Sequence, residues 1–590
     1  MADGDGGHAP LAYLGVERSL TCRRWVGPSV ETERAAEAIA QQTGLPRPLA
    51  QVLARSGVPP HEAESYLSPR LRDLLPDPRR LKDMEKAAAR FLSAVRRNER
   101  IAVFADYDVD GGASAALLID WLRQMGRAAT LYVPDRIDEG YGPNAPAMRD
   151  LAARHDLIVC VDCGTLSHDA IAAARGAEVI VLDHHLGGET LPPAHAVVNP
   201  NRQDEDGDLG QLCAAGVVFL FLVETRRQMR AAELGEGPDL MAMLDLVALA
   251  TVADVAPLTG VNRALVRQGL EVMRRRARPG LAALADVARM DTAPNTYHLG
   301  FLLGPRVNAG GRIGKADLGA RLLSTTSTAE AAALAQRLNQ LNEERRAIED
   351  AVRAAALEQA ESRGLDAPLV WAAGEGWHPG VVGIVASRLK EATNRPAVVI
   401  GLDGDEGKGS GRSIAGVDLG ASVQRLAAEG LLLKGGGHRM AAGLTVARDR
   451  LEAAMTRLAE LLARQGAGRA GPADLRLDGL MMPRAATHEL IADLDRAGPF
   501  GQGAPSPRFA LPSLVVRHAR QVGDSHLKLT LADDSGAALD AIAFRAFDSD
   551  LGPALANHGG ARFHVAGRLE INHFRGQQRV QLRLEDAARA

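Results

Sequence analysis

Residues 101–126 read IAVFADYDVDGGASAALLIDWLRQMG, and the order of features in that stretch decides the fold. A short apolar run, IAVFA (101–105), is followed by a turn crowded with aspartates and then by an apolar stretch of helical length. The same strand-like signal returns in ATLYVP (129–134), DLIVCVD (156–162) and AEVIVLD (177–183), with HDAIAAARG (168–176) as an intervening helix. Strands alternating with helices predict a doubly wound parallel sheet. Strands of such a sheet are buried on both faces, which accounts for their unbroken apolar runs.

Working outward, residues 1–85 read as an N-terminal, partly helical region, Gly-rich at its start, and 86–325 as the α/β domain of the parallel sheet. DLMAMLDLVALATVADVAP (239–257) reads as one apolar helix. Residues 326–364 read as a long connector helix with Ser327 and Glu330 as a capping box and Gly364 as its stop. A smaller α/β domain follows over 365–465, then a Gly/Ala-rich linker. Residues 471–590 change to short β-like runs, which predict a small barrel.

Composition places few limits on function. The chain has 590 residues, 46% hydrophobic and 24% charged, with a net charge of −4. That length suggests three to five domains at roughly 150 residues each. Aromatics are only 4%, so packing leans on Leu, Ala and Val. Any nucleic-acid channel must be a local basic patch, since residues 471–590 hold 14 Lys/Arg against 14 Asp/Glu. The four cysteines make no disulfide framework. Cys160 and Cys163 flank Asp162 in an apolar strand and read as buried thiols, the alternative being a redox pair or half of a zinc site. No signal peptide or membrane span is visible, and a cytoplasmic location is expected.

The chemistry lies at the strand ends. Asp106, Asp108 and Asp110 alternate after the first strand, and in extended chain they would share one side. An EF-hand loop also begins D-x-D-x-D-G, but its twelfth position requires Glu and Leu117 stands there. Asp162 ends a second strand, and Asp183-His184-His185 ends a third. Each of these taken alone is also the pattern of a solvated turn. Asp254 lies in an apolar helix, where an unpaired carboxylate is costly. Ligands of open parallel sheets bind outside the carboxyl ends of the strands. So many acids at one edge need cations, and carboxylate with imidazole suits Mn²⁺ or Mg²⁺. Two such ions, with Asp162 as the candidate bridge, are the usual arrangement for phosphoryl transfer.

DYDVDG (106–111), VDCGT (161–165), LDHH (182–185), TVADVAPL (251–258), RVNAGGRIG (306–314), GSGRSIAGVDL (409–419), KGGGHRMAAGL (434–444) and AGPFGQGAPSPRF (497–509) together resemble the DHH phosphoesterase superfamily, specifically its single-strand-specific exonucleases, over roughly 80–590. The resemblance implies a DHH catalytic domain and a smaller DHHA1 domain joined by the long helix, plus a C-terminal OB-fold. It implies metal ligation by Asp108, Asp110, Asp162, His184 and Asp254, with His185 stabilising the transition state. Several superfamily members carry His where Phe104 stands here, so Asp106 is expected to take over that duty. Gly435, Gly436, Gly437 and His438 would approach the substrate, His438 assisting the chemistry. Ser410 and Arg412, with Arg136, would hold a 5′ phosphate, and Arg306 and Arg312 the DNA backbone. Phe544, Phe563 and Phe574 either stack on bases or fill the barrel. The implied activity is degradation of single-stranded DNA from the 5′ end in repair and recombination, by a monomer working with a helicase and a single-strand-binding protein. A short-oligonucleotide phosphodiesterase, a pyrophosphatase and a binding scaffold without turnover are the rival readings.

Overall fold

The computed structural model describes residues 12–135, 139–468, 473–574 and 577–590. The chain divides into two compact units. One is residues 75–470; the other joins the segment ending at Leu74 to Gly471–Ala590.

The larger unit carries two sheets. The first has five parallel strands in the order Ala129–Tyr132, Ile101–Ala105, Leu157–Val161, Glu178–Leu182, Ala196–Val198. Every residue of Ile101–Ala105 and Leu157–Val161 is buried, as the unbroken apolar runs predicted. One face, with Phe104, Ile158, Cys160 and Val181, packs on helices Ala145–Ala152 and His168–Ala172. Helices Met84–Arg97, Val109–Gln124 and Ala214–Ala231 meet through Phe91, which contacts both Trp121 and Phe221. After Ile101–Ala105 the chain goes to one neighbour, then crosses to Leu157–Val161 on the other side. The crevice for a ligand therefore opens between these two central strands.

Helix Thr328–Arg363 follows. Ser327 Oγ caps it by accepting from the Glu330 amide, and it stops at Gly364, whose φ is +96°. Glu330 turns to Thr325 and Arg321 instead of closing the capping box. The second sheet has the order Lys434–His438, Ala441–Ala447, Glu406–Arg412, Ala397–Asp403, Val370–Glu375. One face packs Val398, Ile400, Leu444 and Val446 against helices Leu419–Ala428 and Leu451–Arg464. On the other face, helix Pro379–Thr393 covers Ala372, Ala397 and Val399.

The smaller unit is a closed five-stranded barrel: Phe509–Val522 pairs with His526–Ala532 and with Arg562–Phe574, and Ala538–Ala543 and Gln577–Arg589 complete the circuit. The N-terminal segment up to Leu74 groups with this barrel, and helix Met84–Arg97 lies in the other unit. Strand Arg23–Val26 pairs in parallel with Ala473–Arg476, and helices Val30–Thr43 and Arg47–Arg55 share the barrel's core through Ile39, Leu49 and Leu53. No local signal in Arg23–Val26 could announce a partner strand 450 positions away. The apolar stretch 239–257 is a short 3₁₀ turn, Leu240–Met243, followed by helix Leu244–Ala253.

The buried Trp25 indole N–H donates to Asp586 Oδ2 at 2.8 Å, and Asp586 is fully buried. Replacing Asp586 by Ala strands that donor. The expected effect is a loss of about 1–3 kcal/mol in the smaller unit, read by denaturant unfolding followed through tryptophan fluorescence.

Candidate metal centre

Three strand ends deliver the acids. Asp106 follows Ile101–Ala105, Asp162 follows Leu157–Val161 and Asp183 follows Glu178–Leu182. The extended-chain picture of Asp106, Asp108 and Asp110 does not hold. A helix begins at Val109 with Asp108 as its N-cap, accepting at Oδ1 from the amides of Asp110 (2.9 Å) and Gly111 (3.1 Å). The turn is so tight that a Cβ on Gly111 would lie 2.4 Å from the Asp106 carbonyl oxygen. Asn308 braces it by accepting from the Val109 amide at 3.0 Å. Asp110 is buried in the first helical turn. Both its oxygens accept amides of another helix start, Ala214 at 2.6 Å and Ala215 at 2.8 Å, where the helix dipole favours a negative charge.

Asp254 caps the C-terminal end of helix Leu244–Ala253, and the chain then leaves through Val255 at φ +60°. Asp162 has φ +60° as well. Left-handed backbone is uncommon for any non-glycine residue and strained for valine. One outlier is a member of the cluster and the other adjoins Asp254, where strain persists only if the surroundings enforce it.

The resulting geometry is compact. Ligand atoms of Asp106, Asp108 and Asp162 lie within 4.8 Å of one another, and so do those of Asp110, His184 and Asp254. Asp162, His184 and His185 form a third such group, which places Asp162 beside both of the others. His184 Nε2 is 3.3 Å from Asp162 Oδ1, 3.7 Å from Asp110 Oδ2 and 3.8 Å from Asp254 Oδ2. The donor set fits divalent cations. Asp162 Oδ1 is buried without a hydrogen-bond partner, and its closeness to His184 has no hydrogen-bond geometry. An acceptor in that position lacks only a cation.

The electrostatics of the acids point the same way. Burial first, then the charges of Asp110, Asp108 and Asp106, push the Asp162 carboxyl well above the usual range. Burial, with Asp110 and Asp108, raises Asp254 to about 8. Burial also raises Asp110, against the opposing pull of His184. Asp183 goes the other way. Burial alone would raise it, but the His185 hydrogen bond and charge and the Thr165 amide hold it below the ordinary range. Burial pulls His185 down, yet its bond to Asp183 brings it up to about 9.

Asp183 therefore organises the loop. It accepts from the amides of Thr165 (3.0 Å), His184 (2.8 Å) and His185 (3.2 Å) and from His185 Nδ1 (2.8 Å). A second brace comes from VVNPN (197–201). Asn199, fully buried, donates to Thr165 Oγ1 and to the His185 carbonyl, both at 2.8 Å, and Asn201 donates to the His184 carbonyl at 2.5 Å. Tyr141 adds a hydroxyl 3.1 Å from the Asp162 carbonyl and 3.2 Å from the His185 ring nitrogens. Sequence reading missed Asn199, Asn201, Tyr141 and Asn308. An NPN turn directly after an apolar strand is the one local signal that marked any of them.

The expected substrate residues divide. Ser410, Gly435, Gly436 and Arg312 line one cavity of about 510 Å³ on the second sheet. Arg412 donates to Ser410 Oγ at 2.8 Å. Gly435, Gly436, Gly437 and His438 lie in a strand, Lys434–His438. Arg306 does not join them. It is buried and committed to the Leu302 carbonyl (2.7 Å) and Asn339 Oδ1 (2.9 Å), a brace between helices. Arg136 lies outside the described residues. In the barrel Phe563 is a core residue at 1% exposure, whereas Phe544 is half exposed with Arg583 5.2 Å above its ring. The Phe574 side chain lies outside the described residues. Cys160 and Cys163 are free buried thiols, as expected.

A parallel sheet with this acid–imidazole cluster at its switch point, followed by a long helix and a second mixed sheet, defines a metal-dependent DHH phosphoesterase. Residues 100–251 match the DHH family N-terminal domain, 366–464 the DHHA1 domain and 477–586 the RecJ OB domain. The single-stranded-DNA-specific exonuclease RecJ of Dickeya dadantii is 39% identical, covering 95% of this chain and 97% of its own. That of Escherichia coli is 37% identical, covering 92% and 96%. The crystal structure of RecJ in complex with Mn²⁺ from Thermus thermophilus superposes with a TM-score of 0.80 at 30% identity, over 96% of this chain and 79% of that one. The chain belongs to the RecJ family.

Two outcomes are expected here. A carboxyl raised by folding stabilises the protein below its unfolded value, near 3.9, and that contribution is lost as pH climbs through the folded value. Metal-free protein should therefore lose melting temperature as pH rises through about 8, the Asp254 value, and Mn²⁺ should cancel the loss. Thermal melts with chelator or Mn²⁺ across pH 6–9 check the sign. Replacing Asn199 by Ala should weaken Mn²⁺ binding about 10- to 100-fold, the range for a lost outer partner of a metal site, read by calorimetric titration.

Proposed function

We propose that this protein is an exonuclease that degrades single-stranded DNA from its 5′ end by hydrolysing phosphodiesters at the centre described above. The observation that carries the reading is the paired cluster: Asp106, Asp108 and Asp162 as one cation site, Asp110, His184 and Asp254 as the other, with Asp162 within reach of both. Its donors suit Mn²⁺ or Mg²⁺, which two RecJ crystal structures from Thermus thermophilus contain. A bound ion pair would supply an activated water and neutralise charge on the phosphoryl oxygens.

The chain's own groups do the rest. Asp183 fixes the His185 ring through Nδ1 and favours its protonated form, so that His185 can meet developing negative charge. Asn199 and Asn201 pin the backbone that carries both histidines. Ser410, Arg412 and His438 would grip the 5′ end and Arg312 the adjoining backbone, through phosphate contacts that tolerate any sequence. Phe544 and Arg583 on the barrel offer a stacking platform of the kind that holds single strands.

Both cation sites come from a single chain, which supports a working monomer. Among the described residues no helix is long and apolar enough to cross a membrane. Four free cysteines suit a reducing compartment such as the cytoplasm. A single-strand substrate implies a preceding step that unwinds duplex and a protein that covers the product, which supports roles for a helicase and a single-strand-binding protein in repair and recombination.

The test is digestion of single strands labelled at either end, with duplex as control and Mn²⁺ or Mg²⁺ varied. Release of the 5′ label as mononucleotide, with duplex resistant, is expected. Loss of the 3′ label first, or preference for dinucleotides over long strands, would sink the reading. Replacing Asp162 by Ala should cut kcat by more than about a hundredfold, beyond what loss of an outer partner costs.

A further inference from the structure

The second sheet of the larger unit has one face that is only partly covered. Helix Pro379–Thr393 packs over Ala397 and Val399 and reaches as far as Ser410 and Arg412. There Gly383 permits the approach, since a Cβ on it would stand 3.1 Å from both Ser410 Oγ and Arg412 Nη2. Beyond that edge the face is open and floors the cavity of about 510 Å³.

Strand register fixes what the floor displays. Glu406–Arg412, Ala441–Ala447 and Lys434–His438 pair antiparallel and align their residues in rows. The first row is Lys408–Thr445–Lys434, the next Ser410–Gly443–Gly436, and the third Arg412–Ala441–His438. Intervening residues such as Leu444 and Val446 point into the opposite core. A Cβ added to Gly436 or Gly443 would meet nothing within 4 Å, so the middle row is a bare strip whose one side chain is Ser410.

The third row and Ser410 are the phosphate site of the function proposed above. The first row has no part in it. Lys408 and Lys434 are both exposed, and among the described residues neither ammonium has a carboxylate or hydrogen-bonding partner. The cavity between them takes a third cation, Arg312, from its opposite wall, where Arg312 also donates to the Gly380 carbonyl at 3.1 Å. Two residues at the rise of a strand set the lysine row about 6.6 Å from Ser410. That separation is comparable to the step between successive phosphates of an extended single strand. Lysine, a compact point charge with rotatable donors, suits a phosphate that passes in many orientations.

The geometry points to a second phosphate subsite at Lys408 and Lys434, which holds the phosphate next to the one at Ser410 and Arg412 while the intervening sugar lies on Gly436 and Gly443. This rests on the single-strand exonuclease reading. The glycine strip leaves room for the sugar, and any side chain there would lift the backbone off the lysines and Ser410. The ligand is sugar–phosphate backbone, without regard to base.

The test compares the full-length wild type with Lys408→Ala/Lys434→Ala on 5′-phosphorylated single strands in Mn²⁺. KM should rise about tenfold or more, as expected when charged hydrogen bonds to one phosphate are lost, with the change carried by KM instead of kcat. The slope of log KM against log salt should fall by about 0.7, the value for one phosphate of a single strand. A neutral methylphosphonate linkage, moved one position at a time from the 5′ end, should weaken the wild type at one position where the double variant is indifferent. Lys408→Arg/Lys434→Arg should restore KM, and Gly436→Leu, which keeps both charges, should raise it. A double alanine variant with wild-type KM and salt slope, or equal sensitivity of both enzymes to methylphosphonate at every position, overturns the subsite. Wild-type enzyme that fails to digest the single strands would instead remove the exonuclease reading itself.

Discussion

Mutual repulsion among buried carboxylates is the constraint around which the larger unit is built. Asp106, Asp108, Asp110, Asp162 and Asp254 meet within a few ångströms at the switch point of a parallel sheet. Two unit charges 4 Å apart repel by about 4 kcal/mol at the effective dielectric of a protein surface, and by more inside. Several such pairs exceed what a domain with a stability of about 5–15 kcal/mol can tolerate uncompensated. The protein compensates part of this charge itself. The start of helix Ala214–Ala231 takes both oxygens of Asp110, and Asp183 is satisfied by three amides and an imidazole. Asp162 Oδ1 has nothing of the kind. Asp183, which positions the loop, is satisfied by the protein alone, whereas Asp162, within reach of both groups of ligands, keeps a buried oxygen that only a cation would satisfy.

Rigidity follows from the same requirement. Ligands on separate loops hold a spacing of a few ångströms only if the loops are fixed by their own backbones. Asn199, Asn201 and Asn308 do this by bonding main-chain groups next to His184, His185 and Asp108, with no contact to the acids themselves. Left-handed φ at Asp162 and Val255 is the local strain that this fixing sustains.

How much of this could be read beforehand depended on how local the signal was. Unbroken apolar runs ending in Asp gave the parallel sheet and its loaded edge, because burial on both faces leaves no alternation to misread. The barrel strands were equally legible from their turns. The pairing of Arg23–Val26 with Ala473–Arg476 was not, since a short edge strand carries no mark of a partner so distant. The extended reading of Asp106, Asp108 and Asp110 failed because period-two spacing is ambiguous where a strand passes into a helix, and a capping Asp decides it. Arg306 and Arg312 look alike in RVNAGGR, yet a turn and a half of helix sends one into a brace and the other to a cavity wall. The triplet Gly435-Gly436-Gly437 announced close approach without revealing that it lies in a strand, since glycine is disfavoured there on propensity.

That last mismatch between propensity and structure bears on specificity. A strand interior loses stability when glycine replaces a side chain, and here the bare row faces outward, where it adds nothing to any core. What such a surface gains is indifference. With no side chain to meet a base edge, contact reduces to amides, one hydroxyl and flanking cations, which act on the sugar–phosphate backbone and carry no sequence information. An enzyme that removes one nucleotide after another must accept whichever base arrives next. On the proposed reading, the bare glycine row with Lys408, Lys434 and Arg412 around it offers a contact of this kind.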